Sequence, residues 1–333
     1  MDNPLIQLME KYRKGNKSAF HLGPFLPLTR IRERGLPFHA ILREHPAMIE
    51  AALMNFEFGF ESTVLPFDLN VEAEILGAEV LYHDAVDGNP IYPTVGDKPF
   101  SVNDDIEIPD NLPQKGRMPA ILKSIRAIKE DTRATGPVGI FLPGPFTLAV
   151  QVLDIETLYL ELLKQENRIQ RILKQLTVFI LKLIDVYVHA GVDFMIVVEG
   201  AGATVSPEMF SKLILPSNQE IFRPKKLPQV VYFYGKSEKI VDFMLACKPD
   251  GMILDKECRV ENVRERLPKE MPLFSDCGGY DMLAKATPAE ITEKVHRYLD
   301  MGFTTVRPNP DIYPPAKIEN IEAFVRAIKE YVQ

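Results

Sequence analysis

Tryptophan is absent from the 333 residues, and histidine is scarce at six. The three cysteines, Cys247, Cys258 and Cys277, have neither CxxC nor zinc-finger spacing, and their odd number implies no disulfide framework, so a reducing, cytoplasmic setting is expected. Positive charge is also short. Lys and Arg total 39 against 46 Asp and Glu, a net charge of −7, which argues against the basic face that a nucleic-acid partner requires. No apolar run reaches the ~18 residues of a membrane span. Residues 1–15 are charged and lack the apolar segment of a signal peptide.

What is present is a rhythm. Short β-prone runs recur at Ser18–Leu22, Glu61–Pro66, Val138–Leu142, Asp193–Val198, Pro228–Tyr234, Gly251–Leu254, Pro272–Ser275 and Phe303–Arg307. Most lead through turn residues into a helical pattern; Glu166–Ala190 and Thr287–Met301 repeat apolar residues at i, i+3, i+4 and i+7. Strand–helix alternation across the whole length predicts a parallel sheet, and eight repeats predict one (β/α)8 (TIM) barrel domain spanning residues 1–333. Ser206-Pro207-Glu208 and Thr287-Pro288-Ala289-Glu290 each carry an N-cap, Pro at the first helical position and early carboxylates. One insertion interrupts the rhythm after the second strand. Residues Glu79–Asp110 hold two alternating runs around Asp87-Gly88-Asn89, which reads as a β-hairpin.

Chemistry in such a barrel sits just past the C-terminal ends of the strands. Those ends carry His21, Phe25, Asp68, Asn70, Glu199, Tyr232, Tyr234, Asp255, Cys277, Asn309 and Asp311. The mouth therefore reads as acidic and aromatic, with Lys256 and Arg307 its few cations. Glu199 ends an apolar strand, where an ionised carboxylate is costly without a partner. Asp68 either acts on substrate or caps the next helix. Tyr232 and Tyr234 alternate with Phe233, so some of these rings could simply face the core. Cys277, beside Gly278-Gly279, reads equally as a small buried residue. Gly200-Ala201-Gly202-Ala203 resembles a phosphate loop but lacks its Lys-Ser/Thr.

Longer segments carry a family resemblance. PFDLNVEAEILGAEV (66–80), GPFTLAVQVL (144–153), GVDFMIVVEGAGATVSPEMFSKLILP (191–216) and the run from Thr287 to Tyr331 resemble the uroporphyrinogen-decarboxylase superfamily, and the VEAE form resembles its methylcobamide methyltransferase branch. The resemblance implies a barrel that exchanges a methyl group with a corrinoid, often one held on a separate corrinoid protein. It implies decarboxylation less well. HLGPFLPLTR stands where the decarboxylase branch has an arginine-rich motif, and an acidic mouth repels a polycarboxylate.

Thiol-methylating members of the branch use zinc held by His-x-Cys and a further Cys. Here Tyr232, Tyr234 and Pro310 stand at those positions, leaving an unorthodox set of Glu199, Cys277 and Asp311 or Asp255 as the one alternative for a metal. Two activities follow. One is transfer of methyl from an aryl methyl ether to cob(I)alamin, with Glu199, Asp68 and Tyr232 catalytic and the remaining mouth residues binding substrate. The other is transfer from methylcobalamin to tetrahydrofolate or a related acceptor. A non-catalytic barrel that docks a corrinoid protein is the third reading.

Overall fold

The computed structural model describes residues 3–85, 89–164, 166–200, 204–236, 238–308 and 315–332. Its strands are β1 (Thr63–Leu65), β2 (Val80–Leu81), β3 (Thr94–Val95), β4 (Val138–Pro143), β5 (Phe194–Val198), β6 (Gln229–Phe233), β7 (Gly251–Leu254), β8 (Leu273–Gly278) and β9 (Thr305–Pro308). Seven of them form one parallel sheet in the order β1-β4-β5-β6-β7-β8-β9. Helices stand between successive strands, among them Met118–Glu130, Pro145–Val152, Glu166–Ala190, Leu215–Phe222, Pro288–Asp300 and Ile318–Glu330. Parallel pairing requires such crossovers, and they cover the outer face of the sheet.

Period-two alternation sorts the side chains into two layers. Val64, Phe141, Phe194, Ile196, Val198, Val230, Tyr232, Ile253 and Phe274 fill the barrel interior, with Leu5 and Met9 of the N-terminal helix Pro4–Tyr12 packed in the same cluster. Met195, Val197, Val231, Met252 and Leu254 belong to the helix-facing layer instead. Interior packing is tight: a Cβ on Gly139 would lie 2.3 Å from the Phe194 ring.

The first expected strand, Ser18–Leu22, makes no regular ladder. It runs between β1 and β9 and is held mainly by single bonds. Glu61 N donates to Ala19 O at 3.0 Å, and Ser62 Oγ accepts from His21 N and donates to His21 O. On the other side the Arg307 guanidinium donates to Leu22 O. Side-chain bonds here do what backbone pairing does elsewhere.

In the insertion, β2 and β3 pair antiparallel through Val80–Val95 and Leu81–Thr94. Asp87 and Gly88, the expected turn, lie outside the described residues. The insertion is tied to the barrel rim by Phe100 N donating to Val152 O and by Lys98 Nζ donating to Gln151 O. Both expected helix starts form: Ser206 accepts from Met209 N, and Thr287 with Glu290 makes a reciprocal capping box. Among the described residues no helix is long and apolar enough to cross a membrane.

Candidate functional site

A cavity of about 380 Å³ opens at the C-terminal ends of the strands. The chain reaches it from several elements: Leu69 and Asn70 after β1, Phe141 on β4, Val198 and Gly200 at the end of β5, and Tyr232 and Tyr234 at the end of β6. Pro24, Tyr92 of the insertion, and Thr147 and Gln151 of helix Pro145–Val152 complete the wall. The aromatic wall is continuous, with ring centroids 6.3 Å apart for Phe141–Tyr232 and 6.0 Å for Tyr232–Tyr234. Among the described residues, none that lines the cavity is charged.

Among the described residues the mouth is therefore not acidic in the way its sequence suggests, because Asp68, Glu199 and Asp255 lie behind this wall and are already engaged. Asp68 is wholly buried, and Arg117 holds it with two parallel bonds at 2.5 and 2.8 Å. Arg117 also binds Glu74 at 2.7 Å and donates to Leu42 O. Asp68 Oδ1 in turn accepts from Asn70 N, so this pair shapes the loop that carries Leu69 and Asn70 to the cavity. Asn70 Nδ2 donates to Pro93 O, Gln151 Nε2 donates to Leu69 O, and Leu69 N donates to Tyr92 Oη.

A second pair lies inside the barrel. Asp276 and Arg307 are register partners on β8 and β9, and their side chains meet at 2.5 Å. Tyr232 Oη donates to the other Asp276 oxygen at 2.6 Å and lies 3.4 Å from Asp255, while the Arg307 guanidinium covers the Tyr232 ring at 4.3 Å. Asp255 is buried and also accepts from Glu257 N.

Glu199 is buried without a cation partner among the described residues. Its Oε1 accepts from Thr147 N at 2.8 Å and Thr147 Oγ1 at 2.6 Å; its Oε2 accepts from Phe146 N at 3.3 Å and Asn218 Nδ2 at 3.0 Å. The carboxylate thus caps the first turn of helix Pro145–Val152, where backbone N–H groups have no intrahelical acceptor. It sits so close to the chain that a Cβ on Gly144 would lie 2.3 Å from Oε2, which requires glycine there. Burial pushes the Glu199 carboxyl above its ordinary value, and the four donors pull it back only in part.

Of the residues expected at the mouth, Asn70, Tyr232 and Tyr234 line the cavity. Glu199 lies one hydrogen bond behind it, through Thr147. Asp68 and Asp255 are behind the wall. His21 and Phe25 pack with Phe60 in the closing seam, at ring distances of 5.1 to 5.7 Å. Burial, and then the Arg307 charge, lower the His21 pKa and keep the ring neutral. Cys277 points away from the mouth into the helix-facing cluster of Phe25, Phe58, Met282 and Ile291, and burial raises its thiol to about 12. Asn309, Pro310 and Asp311 lie outside the described residues, as do Ala201, Gly202 and Ala203 of the glycine-alanine run.

Among the described residues zinc finds no donor set. Phenols occupy two of the expected ligand positions, Cys277 is turned away from the mouth, and among the described residues no group of three His, Cys, Asp or Glu side chains is disposed to hold a metal. Sequence reasoning missed Tyr92, Thr147 and Gln151 because none follows a strand. It also missed Arg117, which is 49 residues from its partner.

The chain is thus an alternating barrel with an open small-molecule cavity at the C-terminal ends of its strands. The chain belongs to the uroporphyrinogen decarboxylase (URO-D) family, whose model matches residues 20–331. It is 23% identical to a methylated-thiol–coenzyme M methyltransferase of Methanosarcina mazei, over 85% of this chain and 76% of that one. It is also 23% identical to a methylcobamide:CoM methyltransferase of Methanosarcina barkeri, over 85% and 84%. Uroporphyrinogen decarboxylases are among its relatives too. A solved structure of a methyltransferase from Methanosarcina mazei superposes with a TM-score of 0.85 at 21% identity, covering 98% of this chain and 97% of that one.

Proposed function

We propose that the chain is a corrinoid-dependent methyltransferase that takes the methyl group of an aryl methyl ether. The observation that carries this reading is the aromatic cavity with the Thr147 hydroxyl in its wall and the buried Glu199 directly behind it. Two of the relatives are named for cobamide or coenzyme M methyl transfer. A cavity of about 380 Å³ suits a single-ring ligand. A corrin macrocycle is too large for it and belongs above the mouth, on a partner corrinoid protein.

Reduced cobamide supplies the two-electron nucleophile that accepts the methyl carbon. What the chain supplies is orientation and a proton. Phe141, Tyr92, Tyr232 and Tyr234 pack on the ring, and Asp276 with Arg307 fixes the Tyr232 phenol. As the methyl–oxygen bond breaks, its electron pair stays on oxygen, which is a poor leaving group unless protonated. A protonated Glu199 donates to Thr147 Oγ1, and Thr147 passes its own hydroxyl proton to the oxygen. The raised Glu199 pKa keeps that proton available closer to neutral pH. No metal enters this route. Decarboxylation of a polycarboxylate is disfavoured, since the lining offers no cation to bind one.

The test is release of a phenol from a methoxyarene by the chain with chemically reduced cobalamin, followed by chromatography. Wild-type protein should release it, Thr147→Ser should keep most of the rate, and Thr147→Val should lose ~10²-fold. A Thr147→Val protein as fast as wild type removes the proton route. No phenol from any methoxyarene, with methyl passing instead from methylcobalamin to tetrahydrofolate, replaces the reading with the reverse transfer.

A further inference from the structure

The charge inventory around the cavity narrows the substrate further, and this step rests on the aryl-ether reading above. A substrate carboxylate needs a cation, or several donors, to replace the water it loses on entering; without them the cost is several kcal/mol. The eleven lining residues carry none. The two buried guanidiniums nearest the wall are engaged, Arg117 by Asp68 and Glu74, and Arg307 by Asp276. Lys98 is directed to the carbonyls of Val150 and Gln151 at the end of helix Pro145–Val152. Lys236 and Lys256, after β6 and β7, are exposed and do not line the cavity.

The residues outside the described part add nothing to this side of the balance. Ala201-Gly202-Ala203, Ser237 and the run Asn309-Pro310-Asp311-Ile312-Tyr313-Pro314 contain no Lys, Arg or His. Behind the wall, Glu199 and Asp255 are buried without a cation partner among the described residues, so the local field is negative or neutral.

We infer that the site selects an uncharged methoxyarene and rejects one bearing a carboxylate. An isosteric pair isolates the charge: 3-methoxybenzamide against 3-methoxybenzoate, titrated calorimetrically into the chain alone at pH 7.5, with no corrinoid present. The amide should bind at least about tenfold more tightly, equivalent to ~1.4 kcal/mol. Tyr234, half-exposed at the rim, is the position to add a cation, and Tyr234→Arg should recover most of the lost benzoate affinity. Benzoate binding equal to or tighter than the amide overturns the inference, even if methyl transfer proceeds. Binding of neither ligand overturns it as well. A clear amide preference with no phenol release in the transfer assay keeps the charge selection and removes the methyl-transfer reading instead.

Discussion

Two corners of the same barrel bury carboxylates in opposite ways. On β8 and β9, Asp276 faces Arg307, its register partner, and the loop after β1 repeats the device with Asp68 and Arg117. At the end of β5 and beside Asp68, two glutamates are buried with no guanidinium bonded to them. Glu199 is held by amide and hydroxyl donors alone, and Glu72 has neither oxygen hydrogen-bonded among the described residues. A guanidinium supplies the opposite charge that offsets the hydration a buried carboxylate loses. Uncharged donors do not, and burial then raises the pKa, for Glu72 to about 8. The arginine-held corners are framework, and the cation-free ones are where protons can reside. Of the two cation-free glutamates, Glu199 is hydrogen-bonded to a residue of the cavity wall, Thr147.

The largest effect that would break this contrast concerns Glu72, which Asp68, Glu74 and Arg117 influence less than burial does. Folding raises its pKa from 4.5 to about 8, so between those values the native chain binds more protons than the unfolded one. Stability contributed by the neutral carboxyl is complete below pH 4.5 and is lost as pH rises to about 8, at a slope of ~1.4 kcal/mol per pH unit at most. Glu72→Gln should flatten the profile of urea midpoints over that range. A wild-type profile already flat there would place Glu72 among the neutralised carboxylates. Next comes Arg307→Met, which leaves Asp276 buried and unpaired and removes the bond to Leu22 O. A loss of about 3–5 kcal/mol is expected. A loss below ~1 kcal/mol would mean the pair neither anchors Tyr232 nor closes the seam.

Much of this framework was legible in the sequence because strand periodicity and helix caps are local signals. Seven of the eight strand runs form ladders where expected, and Thr287 and Ser206 cap as read. Ser18–Leu22 fails as a strand because its partners are Ser62 Oγ and the Arg307 side chain, which no alternation pattern encodes. Of the candidate residues read from the strand ends, Asn70, Tyr232 and Tyr234 line the cavity. Cys277 illustrates the one-residue limit of such reading. On a pleated strand Asp276 faces inward, so its neighbour must face the helices. Tyr92 comes from the insertion and Thr147 and Gln151 from a helix face, so their convergence is a property of the folded chain. The donors to Glu199 were hidden for another reason. Two of its four donors are backbone N–H groups, which leave no mark in a sequence.

The smallest expected effect is the one closest to function. Glu199→Gln keeps an acceptor for Thr147 but turns an amide toward Phe146 N and Asn218, so a stability cost of ~1–3 kcal/mol accompanies it. Its kinetic signature separates proton delivery from mere support of the helix. If Glu199 is the proton source, kcat should fall by ~10² with KM nearly unchanged, because the proton is needed only as the bond breaks. The wild-type rate should also decline on the alkaline side as the raised carboxyl ionises, and the variant should lose that limb. A parallel rise in KM with kcat intact would instead make Glu199 a cap that shapes the wall through Thr147, and the contrast between its corner and that of Asp276 would then be one of packing alone.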